Sequence, residues 1–110
     1  MIEWIIASAV VSTLFWDTFA SFVEDVIERV KAKFSSAFRY FQCFIKRIGN
    51  KVIGIVKTYM KNSQYEWTET YEQQIPEAEV PSDILSQVKN SYGHLIDVTD
   101  NKELKLGLGF

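Results

Sequence analysis

The strongest constraint on the fold is a stretch of 47 residues, from Ile2 to Ile48, that contains neither glycine nor proline. These two residue types interrupt a helix most effectively, so their absence favours one uninterrupted element. When successive residues are placed 100° apart, the apolar side chains fall on one arc of about 160° and the polar side chains lie opposite. The sequence therefore predicts an amphipathic α-helix of about 45 residues. Ten side chains form its apolar stripe: Phe15, Phe19, Phe22, Val23, Val26, Val30, Phe34, Phe38, Phe41 and Ile45.

The spacing within this stripe is closer to eleven residues than to seven. Phe19, Val30 and Phe41 are eleven residues apart, which predicts a nearly straight helix and disfavours a left-handed coiled coil. The stripe keeps its phase through Ser35-Ser36, although a bend at that point stays open. A helix of this length would extend for about 70 Å, and the roughly 60 residues that remain would cover only part of it. Copies of the chain, another protein or lipid would have to cover the rest.

Charge is sorted along the chain into three blocks. Residues 1–28 hold five acidic and no basic residues, whereas residues 29–61 hold nine basic and no acidic residues. Residues 62–110 are acidic again, and the net charge is −2. Hydrophobic residues make up 47% of the chain and charged residues 24%, which excludes a disordered polypeptide. The single cysteine excludes an internal disulfide, so we expect the protein in the cytoplasm.

The first part of the predicted helix is apolar on all sides. No charged residue occurs between Trp4 and Trp16, and residues 2–23 together approach the length of a membrane span. An alternative prediction is therefore a small membrane-anchored protein, with residues 2–23 in the bilayer and the rest at its inner face. Glu3 and Asp17 oppose this prediction because a charge within a bilayer is costly. The candidate membrane side chains are Trp4, Ile5, Ile6, Val10, Val11, Leu14 and Trp16.

The basic block suits two kinds of anionic partner. After a membrane segment it would contact anionic lipid on the cytoplasmic side. Because aromatic residues are interleaved with it, a second alternative is a nucleic-acid-binding accessory subunit. The basic residues scatter around the predicted helix and match no common nucleic-acid-binding motif, which makes nucleic acid the weaker partner. The candidate contacts are Arg29, Lys31, Lys33, Arg39, Lys46, Arg47 and Lys51.

After Gly49-Asn50 the sequence changes to a β pattern. Residues 51–60 are rich in β-branched side chains, and residues 65–75 alternate apolar and polar side chains. With a turn at residues 61–64, these two segments predict a β-hairpin that has one face to bury. The outer edge of the second strand is rich in threonine and glutamate. That edge would either accept another strand or use its charges to prevent such pairing.

Shorter elements are predicted towards the C-terminus. A short helix runs from about Ser82 to Asn90, and residues 94–99 form a third strand. Beyond residue 100, a helical turn and an alternating strand both stay open. We therefore predict an α+β protein in which a long N-terminal helix (residues 1–49) precedes a small module (residues 50–110) with a β-hairpin and one or two short helices.

Side chains suited to catalysis are scarce. His94 is the only histidine and Cys43 the only cysteine, so neither a structural zinc site nor a ready Cys–His pair is indicated. Gly49 and Gly54 lack the surrounding motif of a phosphate-binding loop. The glutamates between residues 66 and 79 fit a solvated strand face. We expect no enzymatic activity, no metal, no cofactor and no small-molecule substrate.

The function that these observations favour is assembly. A long apolar stripe that the chain cannot cover by itself is typical of a scaffold or an accessory subunit. We expect the stripe to join copies into a homo-oligomer or to pack on a partner within a larger protein complex. Membrane anchoring and nucleic-acid binding are the two alternatives.

Overall fold

The computed structural model describes the backbone of residues 2–106 and the side chains of residues 14–106. One helix, α1 (Ile2–Phe34), opens the chain. The prediction of an N-terminal helix is confirmed. The prediction that this helix has about 45 residues and reaches residue 49 is wrong, because α1 ends at Phe34.

The chain turns after α1 and enters a strand, β1 (Phe38–Ile48). The turn contains Ser35-Ser36, and the Ala37 amide donates a hydrogen bond to the Phe34 carbonyl at 2.8 Å. The apolar stripe wrongly predicted a helix over these residues. β1 carries apolar side chains on both faces, so it lacks the apolar–polar alternation of an ordinary surface strand. Pairing with a neighbouring strand along nearly its whole length then decides in favour of the strand over the helix.

Gly49-Asn50 is the two-residue turn of a β-hairpin. It joins β1 to the antiparallel strand β2 (Lys51–Lys61), with Ile48 opposite Lys51. Gly49 adopts φ +61°, a left-handed conformation that such turns require and that glycine adopts without strain. The border between the two predicted segments of the chain therefore lies inside one continuous sheet.

The predicted hairpin between residues 51 and 75 is confirmed. β2 pairs antiparallel with β3 (Glu66–Ile75), from Val52 opposite Ile75 to Lys61 opposite Glu66. The turn is closed by Asn62, whose side-chain oxygen accepts hydrogen bonds from the amides of Gln64 and Tyr65 at 2.8 and 2.7 Å.

The predicted short helix and third strand are also present, as α2 (Ser82–Asn90) and β4 (Leu95–Asp97). A 3-10 turn (Glu77–Glu79) precedes α2, and β4 pairs antiparallel with β1. The sheet therefore has four antiparallel strands in the order β3-β2-β1-β4. Residues 100–106 form neither a helix nor a strand, and the remainder of the alternating strand considered for this end lies outside the described residues.

Both helices pack against one face of the sheet, and the hydrophobic core lies between the two layers. The sheet contributes alternate residues of β1 and β2 to it, and α1 contributes residues from successive turns. Phe19 passes so close to Gly54 that a Cβ atom there would lie 2.6 Å from its ring, which is why this strand position is a glycine. The most deeply buried side chains are Val23, Ile27, Val30, Cys43, Ile45, Val52, Val56, Thr58, Met60 and Val88.

Candidate binding surface

The face of the sheet opposite the helices is a surface that the described part of the chain leaves uncovered. Side chains alternate between the two faces of a strand, so the strand pairings identify the residues of this open face. Neither α1 nor α2 covers it, since the buried residues of both helices belong to the core on the other side. The open face comprises Tyr40, Gln42, Phe44, Lys46 and Ile48 of β1, Lys51, Ile53, Ile55, Lys57, Tyr59 and Lys61 of β2, Glu66, Thr68, Thr70, Glu72 and Gln74 of β3, and Leu95 and Asp97 of β4.

An apolar patch occupies the middle of the open face. Phe44 lies opposite Ile55 on the neighbouring strand, and Ile53 lies two pairs further along, on the same face. Tyr40 and Tyr59 stack at one end, with ring centroids 4.3 Å apart and planes 10° from parallel. Tyr40 remains 55% exposed in spite of this stacking. We define the apolar patch as Tyr40, Phe44, Ile53, Ile55, Tyr59 and Leu95.

A chain of polar contacts crosses the open face beside the patch and ties β4 to the long strands. The Tyr59 hydroxyl donates to the Gln42 side-chain oxygen at 2.5 Å, and the Gln42 amide group donates to Asp97 at 3.4 Å. Asp97 also accepts from the Thr99 hydroxyl at 2.6 Å, and that hydroxyl accepts from the Cys43 amide at 2.8 Å. These contacts keep the surface ordered without covering it.

Charge on the open face is arranged in columns. The central strands β1 and β2 contribute lysines and no acidic residue, whereas β3 contributes Glu66 and Glu72 on one side and β4 contributes Asp97 on the other. The outer side of α1 has the opposite character up to Glu28, because Asp17, Asp25 and Glu28 are exposed there, whereas Arg29 and Lys33 are exposed nearer its C-terminal end. The molecule therefore presents a basic and apolar strip on one side, and on the other a helix whose exposed charges are acidic up to Glu28 and basic from Arg29.

The predicted stripe does not form a surface. Its α1 members contribute to the core: Phe15, Phe19, Val23, Val26 and Val30 are at most 4% exposed. Phe22 and Phe34 are partly buried against the same core. The three members beyond residue 37 belong to β1, where Ile45 is fully buried and Phe38 and Phe41 are partly buried. The chain thus covers this part of the stripe by itself.

The predicted membrane segment divides into two parts. Trp16 is 5% exposed and lies in the core with Phe19 and Val23, so the second part of residues 2–23 is not free to lie in a bilayer. Leu14 is 58% exposed. Among the residues that the structure describes, no helix is both long enough and apolar enough to cross a membrane. The side chains of Trp4, Ile5, Ile6, Val10 and Val11 lie outside the described set.

The seven basic candidates do not converge on one site. Arg29, Lys31 and Lys33 belong to α1, and Lys33 lies 5.2 Å from the centre of the Phe34 ring. Arg47 points to the helix-covered side, where its guanidinium lies 3.7 Å from Glu77. Arg39 lies at an irregularity at the start of β1 and donates to the Ser36 carbonyl. Lys46 and Lys51 alone belong to the open face.

Cys43 and His94 occupy different surroundings. Burial, and secondarily the charge of Asp97, raises the pKa of the Cys43 thiol from 9.0 to about 12, so it stays protonated at neutral pH. A thiolate is the reactive form of cysteine, and this site therefore disfavours nucleophilic chemistry. His94 is exposed in a turn before β4. No group of three or more potential metal ligands occurs within the described part of the chain.

Sequence reasoning missed the open face because it placed β1 in a helix. The signal that would have found it is Gly49-Asn50, since two apolar runs separated by Gly-Asn are typical of a β-hairpin. Comparisons of the chain with protein families, with curated proteins and with solved structures find no match in any of the three.

Proposed function

We propose that this protein is a non-enzymatic assembly module that associates with copies of itself through the open face of its sheet. The observation that supports the proposal is the apolar patch, which lies in the middle of a sheet face that neither helix covers. Clustered apolar side chains rimmed by polar residues are typical of protein interaction sites. If no partner covered these residues, their apolar surface would stay exposed to water, which is unfavourable in free energy.

The charges of the open face favour a protein over nucleic acid as its partner. A polyanion lying along β1 and β2 would meet Lys46 and Lys57, but Glu72 and Asp97 flank that path and would repel it. A protein surface that carries charges of both signs faces no such conflict. The predicted stripe residues keep a supporting role in this proposal, because they hold α1 on the sheet and leave the other face free.

The first test is the oligomeric state of the full chain, measured by light scattering after gel filtration over a series of concentrations. We expect reversible association, and Phe44→Glu should weaken it at least about tenfold because it places a charge in the middle of the patch. Leu95→Glu is the second variant, since Leu95 is 39% exposed on a short edge strand where substitution leaves the core intact.

Ser21→Glu is the matched control, because it adds the same charge at an exposed position on the outer side of α1. It should associate like the wild type, and circular dichroism should show that all variants keep the native helix and strand content. A wild-type chain that stays monomeric at the highest accessible concentration would overturn the proposal. Association that is insensitive to both open-face variants would also overturn it.

A further inference from the structure

We infer that two copies of the chain pack open face against open face with their strands nearly perpendicular, an inference that rests on the proposed function and adds its docking geometry. Four charged residues around the centre of the apolar patch select this crossing: Glu72, Asp97, Lys46 and Lys57. We call these four residues the charge cross.

The strand register fixes where the two carboxylates lie. Phe44 of β1 and Ile55 of β2 face each other at the centre of the apolar patch. In the same row, Glu72 of β3 lies beside Ile55 and Asp97 of β4 lies beside Phe44. The carboxylates therefore bound the patch on a line across the strands, about 14 Å apart at three interstrand spacings.

The two lysines bound the patch along the strands. Lys57 is two residues beyond Ile55 on β2, and Lys46 is two residues beyond Phe44 on β1, on opposite sides of the central row because β1 and β2 are antiparallel. Four residues along the strands and one interstrand spacing separate the lysines by about 14 Å as well. The acidic and the basic line thus have equal lengths, share one centre and cross at about 70°.

The charges of the cross are not neutralised within the chain. None of its four residues takes part in an ion pair among the residues that the structure describes. Glu72 and Asp97 are exposed, and both lysines are half-buried. Asp97 accepts hydrogen bonds from Gln42 and Thr99, which hold the carboxylate in place and leave its charge unpaired. A second copy can therefore pair all four charges.

Aligned packing of two open faces about this centre would bring like charges together. A two-fold axis along the strands places Glu72 of one copy over Asp97 of the other, and a two-fold axis across the strands places each carboxylate over its own counterpart. In both cases the lysines face Gln42 and Ile53 of the second copy, so they cannot relieve the repulsion. Like charges that face each other disfavour such a complex.

Nearly perpendicular packing brings opposite charges together. A two-fold axis that bisects the angle between the acidic and the basic line exchanges the two lines, so every carboxylate lies over a lysine of the second copy. One bisector pairs Glu72 with Lys46, and the other pairs it with Lys57. Either one stacks the two apolar centres and gives a closed, symmetric dimer. The strands then cross at about 70°, close to the orthogonal class of packed sheets.

The width of the sheet sets the size of this contact. Four strands are about 19 Å wide, so two crossed sheets overlap in a square about 19 Å on a side, which contains the whole charge cross. A contact of this size is at the low end for specific interfaces and gives a weak, reversible dimer. Ion pairs at its rim fix the orientation of the two copies more than they add affinity.

Neutralising Glu72 has opposite effects in the two arrangements. In the perpendicular dimer, Glu72→Gln removes two attractive contacts and should raise the dimer Kd about three- to tenfold. In an aligned dimer it would relieve repulsion and lower the Kd. Glu66→Gln is the matched control, because it is the same change on the same strand and face, about 20 Å away and outside the overlap. It should leave the Kd, measured on full-length chains by analytical ultracentrifugation, unchanged.

An exchange of charges within one chain identifies the lysine that Glu72 meets. Glu72→Lys should raise the Kd at least about tenfold, because it makes both contacts repulsive. Adding Lys46→Glu or Lys57→Glu to the same chain restores the pairs across the two-fold axis for one of the two lysines. That double variant should return to within about threefold of the wild-type Kd. Circular dichroism verifies that every variant is folded, and failure of both double variants to restore association overturns the crossing.

The remaining outcomes separate this inference from the proposed function. A dimer that is lost in Phe44→Glu but is unchanged or tighter in Glu72→Gln packs its open faces in another way, which overturns the perpendicular crossing alone. Equal weakening by Glu72→Gln and Glu66→Gln shows a general effect of charge and also overturns the crossing alone. A monomeric wild type, or a dimer that is insensitive to both Phe44→Glu and Leu95→Glu, overturns the crossing and the proposed function together.

Discussion

The two faces of the sheet are built from the same strands and differ in what surrounds them. On the covered face of β2, Val52, Val56 and Met60 are at most 2% exposed, and the one polar side chain, Thr58, donates a hydrogen bond to the Glu69 carbonyl at 3.0 Å. On the open face, apolar residues of similar size are only half-buried and lie between lysines, as Ile53 and Ile55 lie between Lys51 and Lys57. The difference teaches that apolar side chains on a strand do not by themselves reveal which face holds the fold together.

The covered face stabilises the fold, and the open face leaves apolar surface uncovered, to which the proposed function assigns a second copy. This contrast gives quantitative expectations, because the free energy of unfolding of the isolated chain should depend strongly on the first face and weakly on the second. The expectations below run from the largest effect to the smallest.

The largest effect should come from Ile45→Ala on the covered face. Ile45 is fully buried, and its truncation should lower the free energy of unfolding by about 2–5 kcal/mol through lost burial and the cavity that remains. Ile55→Ala on the open face is the matched comparison, and it should cost less than half as much. Urea denaturation at concentrations where the chain is monomeric measures both. Equal costs would contradict the contrast between the faces.

Gly54→Ala tests how tightly the helix layer is seated on the sheet. The new Cβ atom would lie 2.6 Å from the Phe19 ring, so we expect a loss of about 1–3 kcal/mol from overpacking. The clash should be specific to that ring. In a Phe19→Leu background the cost of Gly54→Ala should therefore fall, and strictly additive costs in the double-mutant cycle would show that the penalty comes from the strand and not from the helix contact.

How far the sequence predicts this architecture differs between its two ends. From Lys51 onward, β-branched residues, polar alternation and turn residues all agree, and the hairpin, the short helix and the third strand are found where they were predicted. From Phe38 to Ile48 the apolar residues satisfy a helical stripe and a two-sided strand equally well. Only pairing with β2 and β4 resolves this ambiguity, and that pairing is a tertiary effect.

The candidate surface was hidden for the same reason. Phe44 and Tyr40 become neighbours of Ile55 and Tyr59 only when β1 and β2 pair, and a helix would have dispersed them. Lys46 belonged to the predicted basic set and does lie on this surface, but Arg47 points to the other side of the sheet. Because side chains alternate along a strand, two adjacent bases that a helix would keep near each other are separated by the sheet itself.

The pKa of the Cys43 thiol reports how well the covered face excludes water. Its pKa is raised to about 12 by burial first and by the charge of Asp97 second, whereas the unfolded thiol titrates near 9.0. Between these values the unfolded chain binds fewer protons than the folded one, so stability falls as pH rises through this window. Relative to Cys43→Ala, we expect the free energy of unfolding of the wild type to be about 1.4 kcal/mol lower at one pH unit above 9.0 than at neutral pH. Parallel pH profiles for the two proteins, measured by urea denaturation, would contradict a dry core at this position.

The smallest effect compares one ion-pair carboxylate from each environment. On the covered side, Glu77 lies 3.7 Å from Arg47 and 3.9 Å from Lys89, and its side chain is 34% exposed. Glu66 lies closer to its partner Lys61, at 3.3 Å, but their side chains are 74% and 61% exposed. Because water screens exposed charges, Glu77→Gln should destabilise by about 0.5–1 kcal/mol, and Glu66→Gln should change stability very little despite the shorter distance. Denaturation at low and high salt tests this order, and a larger loss for Glu66→Gln would show that distance outweighs exposure at these two sites.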